Sequence, residues 1–432
     1  MLIRQIWRRV FIGILTGMVL SACSGSNEQT ETNESKTASS SSTAEAGTSE
    51  EAAVVRPEES EPLLYEGDLE LPVNGATGYA SVLMDLKATA DAGSETISEL
   101  EAGTAFEVLE EVGDWWYVRT ATESGWVQHL YCFINLPDVV PSIIYDNTNT
   151  YASKFASSGK TIPGIPGEAL YDGKAYNMRL GKVSDIVPVL YSMSKKIHLA
   201  QQAALEEGNT LVIYEGYRPF FAQKLTVDAL TTLAAADPEV MAGINTHPWD
   251  TNWFIATSIS NHQMGYAIDV TLAKITEQQE FVIGDYTATA VTGYTEYTMP
   301  TTIHELSMAS ATFTGPVKSS SPTAWLQANL ADTMNEAAIL LQRYCTDAGL
   351  TPLASEWWHF NDLDARFATE DNSSKGEYIL DATMSEAPEA AQTCTRSRPR
   401  ARPVRAASVR GGRAALAGAM SRRTHLRAHS RS

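Results

Sequence analysis

Two long segments of this 432-residue chain lack the apolar residues that a folded core requires. Residues 24–61 consist mainly of Ser, Thr, Glu, Ala and Asn, with few large apolar side chains. Residues 385–432 contain an Arg-rich stretch without hydrophobic periodicity. Because neither composition buries enough apolar surface to offset the loss of chain entropy, we predict that both segments are disordered. Folded structure is therefore expected within residues 62–384.

The charge is distributed unevenly along the chain. The first 23 residues hold three Arg and no acid, and residues 394–432 hold eleven Arg and no acid. Removing these fourteen from the 32 basic residues leaves 18 against 52 acidic residues, a formal charge of −34 over residues 24–393. Nucleic-acid phosphates would repel such a body, so we expect no nucleic-acid partner.

The basic tail has two interpretations. It is either an electrostatic arm towards anionic wall polymers or lipids, or a C-terminus of abnormal origin, such as a frameshifted one. The abrupt change in composition at about residue 394 favours the second interpretation.

The N-terminus has the features of a secretory signal. Three Arg precede the apolar run 10–20, which is too short to span a membrane as a helix. A Leu-Ser-Ala triplet then precedes Cys23, and this pattern resembles a bacterial lipobox. The resemblance implies a lipoprotein signal over residues 1–23, lipidation of Cys23, and an extracytoplasmic protein anchored to the bacterial cell membrane. A plain signal peptide with an incidental cysteine is the alternative.

The other cysteines are Cys132, Cys345 and Cys394, with neither a CxxC pair nor zinc-ribbon spacing. Cys132 and Cys345 stand beside aromatic residues, and we interpret both as buried apolar side chains. The sequence leaves a disulfide between these two cysteines open.

Residues 62–137 alternate short β-prone runs with turn residues. Strands are expected at Phe106–Leu109, Trp115–Arg119 and Trp126–Gln128, which indicates a small all-β barrel. The sequences GDWWYVRT and SGWVQHLY in this unit resemble a bacterial SH3-like domain. The resemblance implies a targeting module, often for the cell wall. A spacer whose tryptophans all lie in its core is the alternative.

Residues 138–384 mix helical and strand patterns. Apolar residues at helical spacing predict helices over Ile186–Glu207 and Thr333–Ala348. Runs rich in β-branched and aromatic residues predict strands at Leu211–Tyr214, Ile268–Leu272 and Trp357–Phe360. The pattern indicates an α+β domain whose polar clusters lie at strand ends.

One reactive segment covers residues 260–269, with the sequence Ser-Asn-His-Gln-Met-Gly-Tyr-Ala-Ile-Asp. On one straight strand His262 and Asp269 would face opposite sides, because they are seven residues apart. Gly265 between them permits a turn that brings both side chains to one point.

Two further segments complete a candidate catalytic set. Glu356 and His359 lie three residues apart in Glu-Trp-Trp-His-Phe. With His262 and Asp269, His359 gives three N/O ligands, the number that a catalytic zinc uses while keeping a position for water. Glu356 would act beside that water as a general base. Arg218, just after a predicted strand, would stabilise an oxyanion.

The order Tyr-Arg-Pro, Ser-x-His-x6-Asp and Glu-x-x-His, over about residues 170–361, resembles the zinc D,D-peptidases of the VanX/VanY group. The resemblance implies an α+β domain with a central antiparallel sheet. It also implies one Zn²⁺ per chain and a set of site residues: His262, Asp269 and His359 as ligands, Glu356 as base, Arg218 as transition-state cation, and Ser260 and Tyr217 in the substrate pocket.

The flanking sequences AIDVTL and SEWWHF favour the D-alanyl-D-alanine dipeptidase branch, so hydrolysis of D-Ala-D-Ala in cell-wall peptide metabolism is the expected function. One departure occurs within Met299–Ser307. Dipeptidases of the group hold the substrate ammonium with an Asp, and His304 stands at that place here. Glu305 is the candidate to replace it.

Three alternatives follow from this departure and from the low specificity of the flanking sequences. Without an ammonium site, the enzyme would be a D,D-carboxypeptidase that trims the terminal D-Ala of peptidoglycan stem peptides, which suits an attached SH3-like module. The second alternative is a peptidase that cuts the L-Ala-D-Glu bond of the stem. The third is a non-catalytic wall-binding lipoprotein with a degenerate peptidase fold.

Overall fold

A computed structural model describes residues 61–370 and 378–390 of the chain. These residues belong to the second of two compact units, Ser60–Ser432. The predicted signal, the lipidation of Cys23 and nearly all of the tether and tail lie outside the described residues. Within the described ranges, no helix is both long enough and apolar enough to cross a membrane.

The N-terminal part of the described chain is almost entirely β-structure. Its elements are β1 (Leu63–Leu64), β2 (Thr77–Ala80), β3 (Met84–Lys87), β4 (Thr96–Leu100), β5 (Ala105–Val112), β6 (Trp115–Arg119), β7 (Ser124–Gln128), β8 (Cys132–Asn135) and the one-turn helix α1 (Leu136–Val139).

Short strands follow, and then the longer elements. The short strands are β9 (Ile144–Tyr145), β10 (Ala156–Ser157), β11 (Lys160–Thr161), β12 (Lys174–Asn177), β13 (Lys182–Asp185) and β14 (Pro188–Leu190). The remaining elements are α2 (Tyr191–Glu206), β15 (Asn209–Glu215), α3 (Phe220–Ala236), α4 (Pro238–Ile244), β16 (Ala267–Ile283), β17 (Tyr286–Glu296), α5 (Glu336–Asp347), β18 (Thr351–Pro352), β19 (His359–Asn361) and α6 (Leu363–Ala368). Short 3₁₀ turns occupy His129–Tyr131, Thr148–Thr150, Thr251–Trp253, Met308–Ser310 and Ala324–Gln327.

One sheet has the strand order β14-β8-β2-β5-β6-β7-β3-β4, and its neighbouring strands are antiparallel. The predicted strands at 106–109, 115–119 and 126–128 are confirmed as parts of β5, β6 and β7. Alternate side chains such as Phe106, Trp116 and Val127 are fully buried, as the period of two requires. The all-β prediction for this region is therefore confirmed.

A second sheet has the order β1-β17-β16-β15-β9, with β19 paired to β16 and β18 paired to β19. Its central pairs are antiparallel, whereas the edge strands β9 and β1 pair in parallel with β15 and β17. Helices α2 and α5 pack on each other, α2 also contacts β15, and α5 also contacts β16. The described chain is thus a mixed structure of sheets and a few helices.

The two sheets share one hydrophobic core, which contains residues of both predicted domains. Strand β14 belongs to the second predicted domain but completes the first sheet, because Val189 pairs with Ile134. Strand β1 belongs to the first predicted domain but pairs with β17. Long-range strand pairing therefore crosses the boundary at 137/138, and local sequence patterns do not reveal such pairing.

The predicted helix over 186–207 begins too early. Pro188–Leu190 form β14, and the helix begins only at Tyr191. Proline and the flanking β-branched valines favour this extended segment. The second predicted helix begins at Glu336, where the Asn335 side chain accepts a hydrogen bond from the backbone of Ala338.

Residues 378–390, which we name the C-terminal strap, form hydrogen bonds with residues at both sheets. Met384 N donates to Thr77 Oγ1, and Glu386 N donates to Gly75 O. Ala390 N donates to Asp285 Oδ2 at the turn between β16 and β17. The prediction of disorder from residue 385 is therefore wrong for residues 385–390, which gain order from backbone hydrogen bonds that composition does not encode.

Cys132 and Cys345 are both buried and free. Their interpretation as buried apolar side chains is confirmed, and no disulfide joins them.

Candidate metal and catalytic site

The turn before β16 brings His262 next to Asp269. Gly265 has φ of +74°, a left-handed conformation that glycine adopts without steric cost. The third residue of the cluster, His359, begins β19 and lies directly opposite Asp269 in the β16–β19 register. The structure thus brings together the three residues that the sequence predicts as ligands.

Both imidazoles are oriented by hydrogen bonds on the side away from the cluster. His262 Nδ1 lies 2.7 Å from the carbonyl oxygen of Gly216, to which it donates. His359 Nε2 lies 3.1 Å from Asn361 Oδ1, which also accepts from Asn261 Nδ2. In neutral rings, His262 Nε2 and His359 Nδ1 are therefore lone-pair atoms.

These lone pairs point at each other and at a carboxylate. His262 Nε2 lies 3.2 Å from His359 Nδ1, and Asp269 Oδ1 lies 3.3 Å from the first and 3.0 Å from the second. All three side chains are buried. Electron pairs this close repel unless a cation lies among them, and two imidazoles with one carboxylate are a donor set that suits catalytic zinc. The residues present therefore fit the predicted metal.

Electrostatics concentrate negative charge on Asp269. Burial alone would raise the pKa of Asp269, but the neighbouring His262 outweighs burial and holds that pKa well below its usual range. Burial lowers the pKa of His262. Burial also disfavours the charged form of His359, yet the Asp269 carboxylate outweighs it and raises the pKa of His359.

Glu356 lies beside the cluster, and its Oε2 is 3.8 Å from His359 Nδ1. The side chain is almost completely buried. Burial raises the pKa of Glu356 to about 8, with a smaller contribution from the Asp269 charge. A carboxyl group that titrates near neutral pH beside three converging ligands is suited to accept and return a proton.

Arg218 lies on the other side of Asp269. Its NH2 is 3.7 Å from Asp269 Oδ2, and its Nε is 3.0 Å from Glu215 Oε2. Glu215 is fully buried and accepts hydrogen bonds from Asn149 and Tyr171. The pKa of Arg218 is lowered by burial but raised more by Glu215 and then Asp269, so the guanidinium stays charged.

Glu215, Asp269 and His304 form a second set of close ligand atoms. The guanidinium of Arg218 already contacts both of its carboxylates. This second set therefore has a counter-charge between its two carboxylates, whereas no Arg or Lys of the described residues lies between Asp269 Oδ1 and the two imidazoles of the first set.

A cavity of about 220 Å³ opens over the cluster. Polar and charged side chains of its wall include Arg218, Gln223, Asn252, Ser260, Asn261 and Glu356, and apolar ones include Phe155, Phe254, Ile255, Leu306, Leu353 and Trp358. Gln223 Nε2 donates to the carbonyl of Ala256, and its buried Oε1 has no partner among the described residues. The wall thus offers a cation, free acceptors and an apolar surface around the ligand cluster.

Two predicted substrate residues do not line this cavity. The Tyr217 hydroxyl donates to the carbonyl of Tyr378 and accepts from Gln263 Nε2, and its ring stacks on that of Tyr378 in the strap. Glu305 accepts hydrogen bonds from Ser307 Oγ and from the backbone of Gly159. Ser260, in contrast, lines the cavity.

Sequence reasoning did not assign four residues of this region: Glu215, Gln223, His304 and Asn361. Glu215 lies three residues before Arg218, a spacing that signals a pair only once both are known to be buried. Asn361 lies two residues after His359 on the same strand, so it shares a face with it. Gln223 and His304 have no local sequence signal of this kind.

The first sheet defines a small all-β module of the SH3-like class. Residues 81–131 match the family described as Bacterial SH3 domain, so the SH3-like prediction is confirmed for this segment. The match covers β3 to β7 and none of the residues around the cavity. A comparison with curated proteins finds no match to the chain.

Proposed function

We propose that this chain is a zinc-dependent peptidase that hydrolyses D-Ala-D-Ala bonds of cell-wall peptides. The observation that carries the proposal is the convergence of His262 Nε2, Asp269 Oδ1 and His359 Nδ1 within 3.3 Å, with Glu356 beside them. Those three atoms would hold the ion. When bound, zinc supplies a Lewis acid and lowers the pKa of a water molecule.

The side chains around the cavity have complementary roles. Glu356 takes a proton at its carboxylate from the attacking water and returns it to the leaving amine. Arg218, held by Glu215, presents a fixed positive charge to the oxyanion that forms in the transition state. Ser260 and Gln223 offer hydrogen bonds to the peptide, and the apolar wall excludes water from the reacting atoms.

The position of Glu305 favours the longer of the two expected substrates. A free dipeptide places an ammonium beside the scissile bond, and burying that charge without a carboxylate is costly. Glu305 is engaged by Ser307 and Gly159, and it does not line the cavity. Among the described residues, the acids of the cavity wall are Asp269 and Glu356, which have other roles. We therefore favour a D,D-carboxypeptidase that trims stem peptides over a dipeptidase.

The cellular setting is part of the proposal. The lipobox-like Cys23 and the polar tether support an extracytoplasmic protein anchored to the membrane. The confirmed SH3 module supports contact with the cell wall, where stem peptides are found.

One experiment tests both the metal and the substrate. Purified protein should contain about one zinc per chain, lose it to a chelator and regain activity when zinc is added back. D-Ala-D-Ala, N-acetyl-D-Ala-D-Ala and a stem pentapeptide are then compared by mass spectrometry. The first two substrates differ in the ammonium, so faster cleavage of the acetylated form and of the pentapeptide is expected.

Each unfavourable outcome has a separate meaning. A folded sample that binds no zinc and gains no activity from it would contradict the peptidase proposal. Faster cleavage of the free dipeptide would restore the dipeptidase alternative. Release of a fragment cut at L-Ala-D-Glu would indicate the other stem peptidase, and zinc binding without cleavage would favour the wall-binding alternative.

A further inference from the structure

His304 is a buried histidine that contacts Asp269. None of the catalytic roles proposed above accounts for this contact. His304 lies in the loop between β17 and α5 and is completely buried. Its backbone has φ of +62°, a conformation that is uncommon for a residue with a side chain and is maintained only where surrounding contacts require it.

The ring of His304 is fixed by its neighbours. It stacks on Phe155 with a centroid distance of 4.5 Å and an interplanar angle of 22°. The rings of Tyr214 and Trp358 contact it edge-on at 6.4 and 6.2 Å. Its backbone carbonyl accepts a hydrogen bond from Ala156 N. These contacts restrict the orientation of the imidazole plane.

That orientation directs one nitrogen at Asp269. His304 Nε2 lies 3.1 Å from Asp269 Oδ2, whereas its Nδ1 has no hydrogen-bond partner among the described residues. A carboxylate oxygen only accepts hydrogen bonds, so the contact requires the ring proton on Nε2. His304 is therefore a donor to the oxygen of Asp269 that faces away from the two other ligands.

The two oxygens of Asp269 are thus divided between different partners. Oδ1 faces His262 and His359, and Oδ2 faces His304 and Arg218. A carboxylate with one oxygen occupied by donors presents only the other oxygen to a metal. Three ligand atoms would then leave a coordination position for water. A carboxylate bound through both oxygens would occupy that position instead.

We infer that His304 is a positioning residue that holds Asp269 as a one-oxygen ligand and so keeps a coordination position open for water. The inference rests on the proposed zinc site. The sequence comparison places His304 where dipeptidases of the group hold the substrate ammonium. In the present inference His304 contacts Asp269, a proposed metal ligand, and does not contact the substrate.

The test compares two replacements of His304. His304→Phe keeps a ring that stacks on Phe155 but removes the donor, and it should weaken zinc binding by about 10–100-fold. With cobalt in place of zinc, its visible absorption should weaken, because a second carboxylate oxygen raises the coordination number. His304→Gln places an amide N–H near the original Nε2 and should restore most of the zinc affinity and the cobalt spectrum.

A matched control removes a buried hydrogen bond far from Asp269. The Tyr344 hydroxyl donates to Glu207 and accepts from Asn209, so Tyr344→Phe should leave zinc affinity and the cobalt spectrum unchanged. Wild-type zinc affinity and spectrum in folded His304→Phe would overturn the inference.

A measurement on the unaltered protein covers the case in which His304→Phe does not fold. Long-range ¹H–¹⁵N spectra resolve which ring nitrogen of each of the eight histidines carries the proton. His304 with its proton on Nε2 supports the inference, and a proton on Nδ1 contradicts it. Failure of the wild-type chain to bind zinc would instead contradict the proposed function, and the spectra distinguish the two failures.

Discussion

The two sides of Asp269 have opposite charge compositions. On the Oδ1 side, the lone pairs of His262 and His359 meet a carboxylate, and no Arg or Lys in the described part of the chain lies among them. On the Oδ2 side, the guanidinium of Arg218 lies between Asp269 and Glu215. The distances alone allow a metal on either side. The comparison teaches that the presence of a built-in counter-ion, and not ligand spacing alone, distinguishes the two clusters as candidate metal sites.

The largest expected effect separates chemistry from metal binding on the Oδ1 side. Glu356→Gln should lower kcat by about 10²–10⁴-fold, because an amide cannot accept the proton of the attacking water. It should retain about one zinc per chain, since Glu356 is not among the three ligands. His262→Ala, measured in the same way by metal analysis, should lose the zinc itself.

A near wild-type kcat in Glu356→Gln would make Glu356 structural. Loss of zinc in that variant would instead extend the ligand set beyond the three residues.

The next effect tests the Oδ2 side. Arg218→Lys keeps the positive charge but loses the planar group that contacts Glu215 and Asp269 together. We expect kcat to decrease by about 10²–10³-fold, as for loss of one oxyanion-stabilising donor, with zinc content unchanged. Steady-state kinetics and metal analysis on the same sample check both parts.

Glu215→Gln is the paired variant, because it removes the charge that holds Arg218 while leaving Arg218 in place. Its kcat should decrease less than that of Arg218→Lys. Loss of zinc from either variant would mean that the two sides of Asp269 are not independent.

The smallest effect concerns protons released when zinc binds. Burial raises the pKa of Glu356 to about 8, so the metal-free protein carries a proton there at lower pH. A bound dication lowers that pKa and expels the proton. Zinc affinity should therefore increase with pH by up to about tenfold per unit below pH 8, and this contribution should disappear above pH 8.

Chelator competition between pH 6 and 9 measures this slope. Glu356→Gln should show a shallower slope, by up to one proton, because its amide does not titrate in this range. Equal slopes in the two proteins would mean that Glu356 releases no proton when zinc binds and would assign the released protons to other groups such as the histidines.

Much of the Oδ1 side could be predicted from the sequence. His262, Gly265 and Asp269 lie on one short segment, and Glu356 and His359 lie on another, so local spacing and one turn residue specify most of the geometry. The remaining contact depends on the pairing of β16 with β19, which the order of the motifs anticipates.

The Oδ2 side could not be predicted in the same way. Glu215 is held by Asn149 and Tyr171, residues 66 and 44 positions away. His304 reaches Asp269 across 35 positions from a loop with a strained backbone. Such contacts depend on how loops pack, and periodic patterns of residues do not predict loop packing.

The strand patterns also predicted individual elements better than their assembly. Local hydrophobic runs predicted the buried parts of two central strands, Leu211–Tyr214 in β15 and Ile268–Leu272 in β16. They did not predict the shared core of the two sheets, because it depends on Val189 pairing with Ile134 and on Leu63 pairing with Tyr286.

The hairpin of β16 and β17 sets the distance between its tip at Asp285 and Asp269 at the start of β16. Leu63 N donates to Asp285 O at its tip, and Ala390 N donates to Asp285 Oδ2, so both ends of the described chain meet there. At about 3.3 Å per residue, the strand from Asp269 to Ile283 measures up to about 46 Å. The two ends of the described chain therefore lie at one end of this hairpin, and the cluster of Asp269, His262 and His359 lies towards its other end.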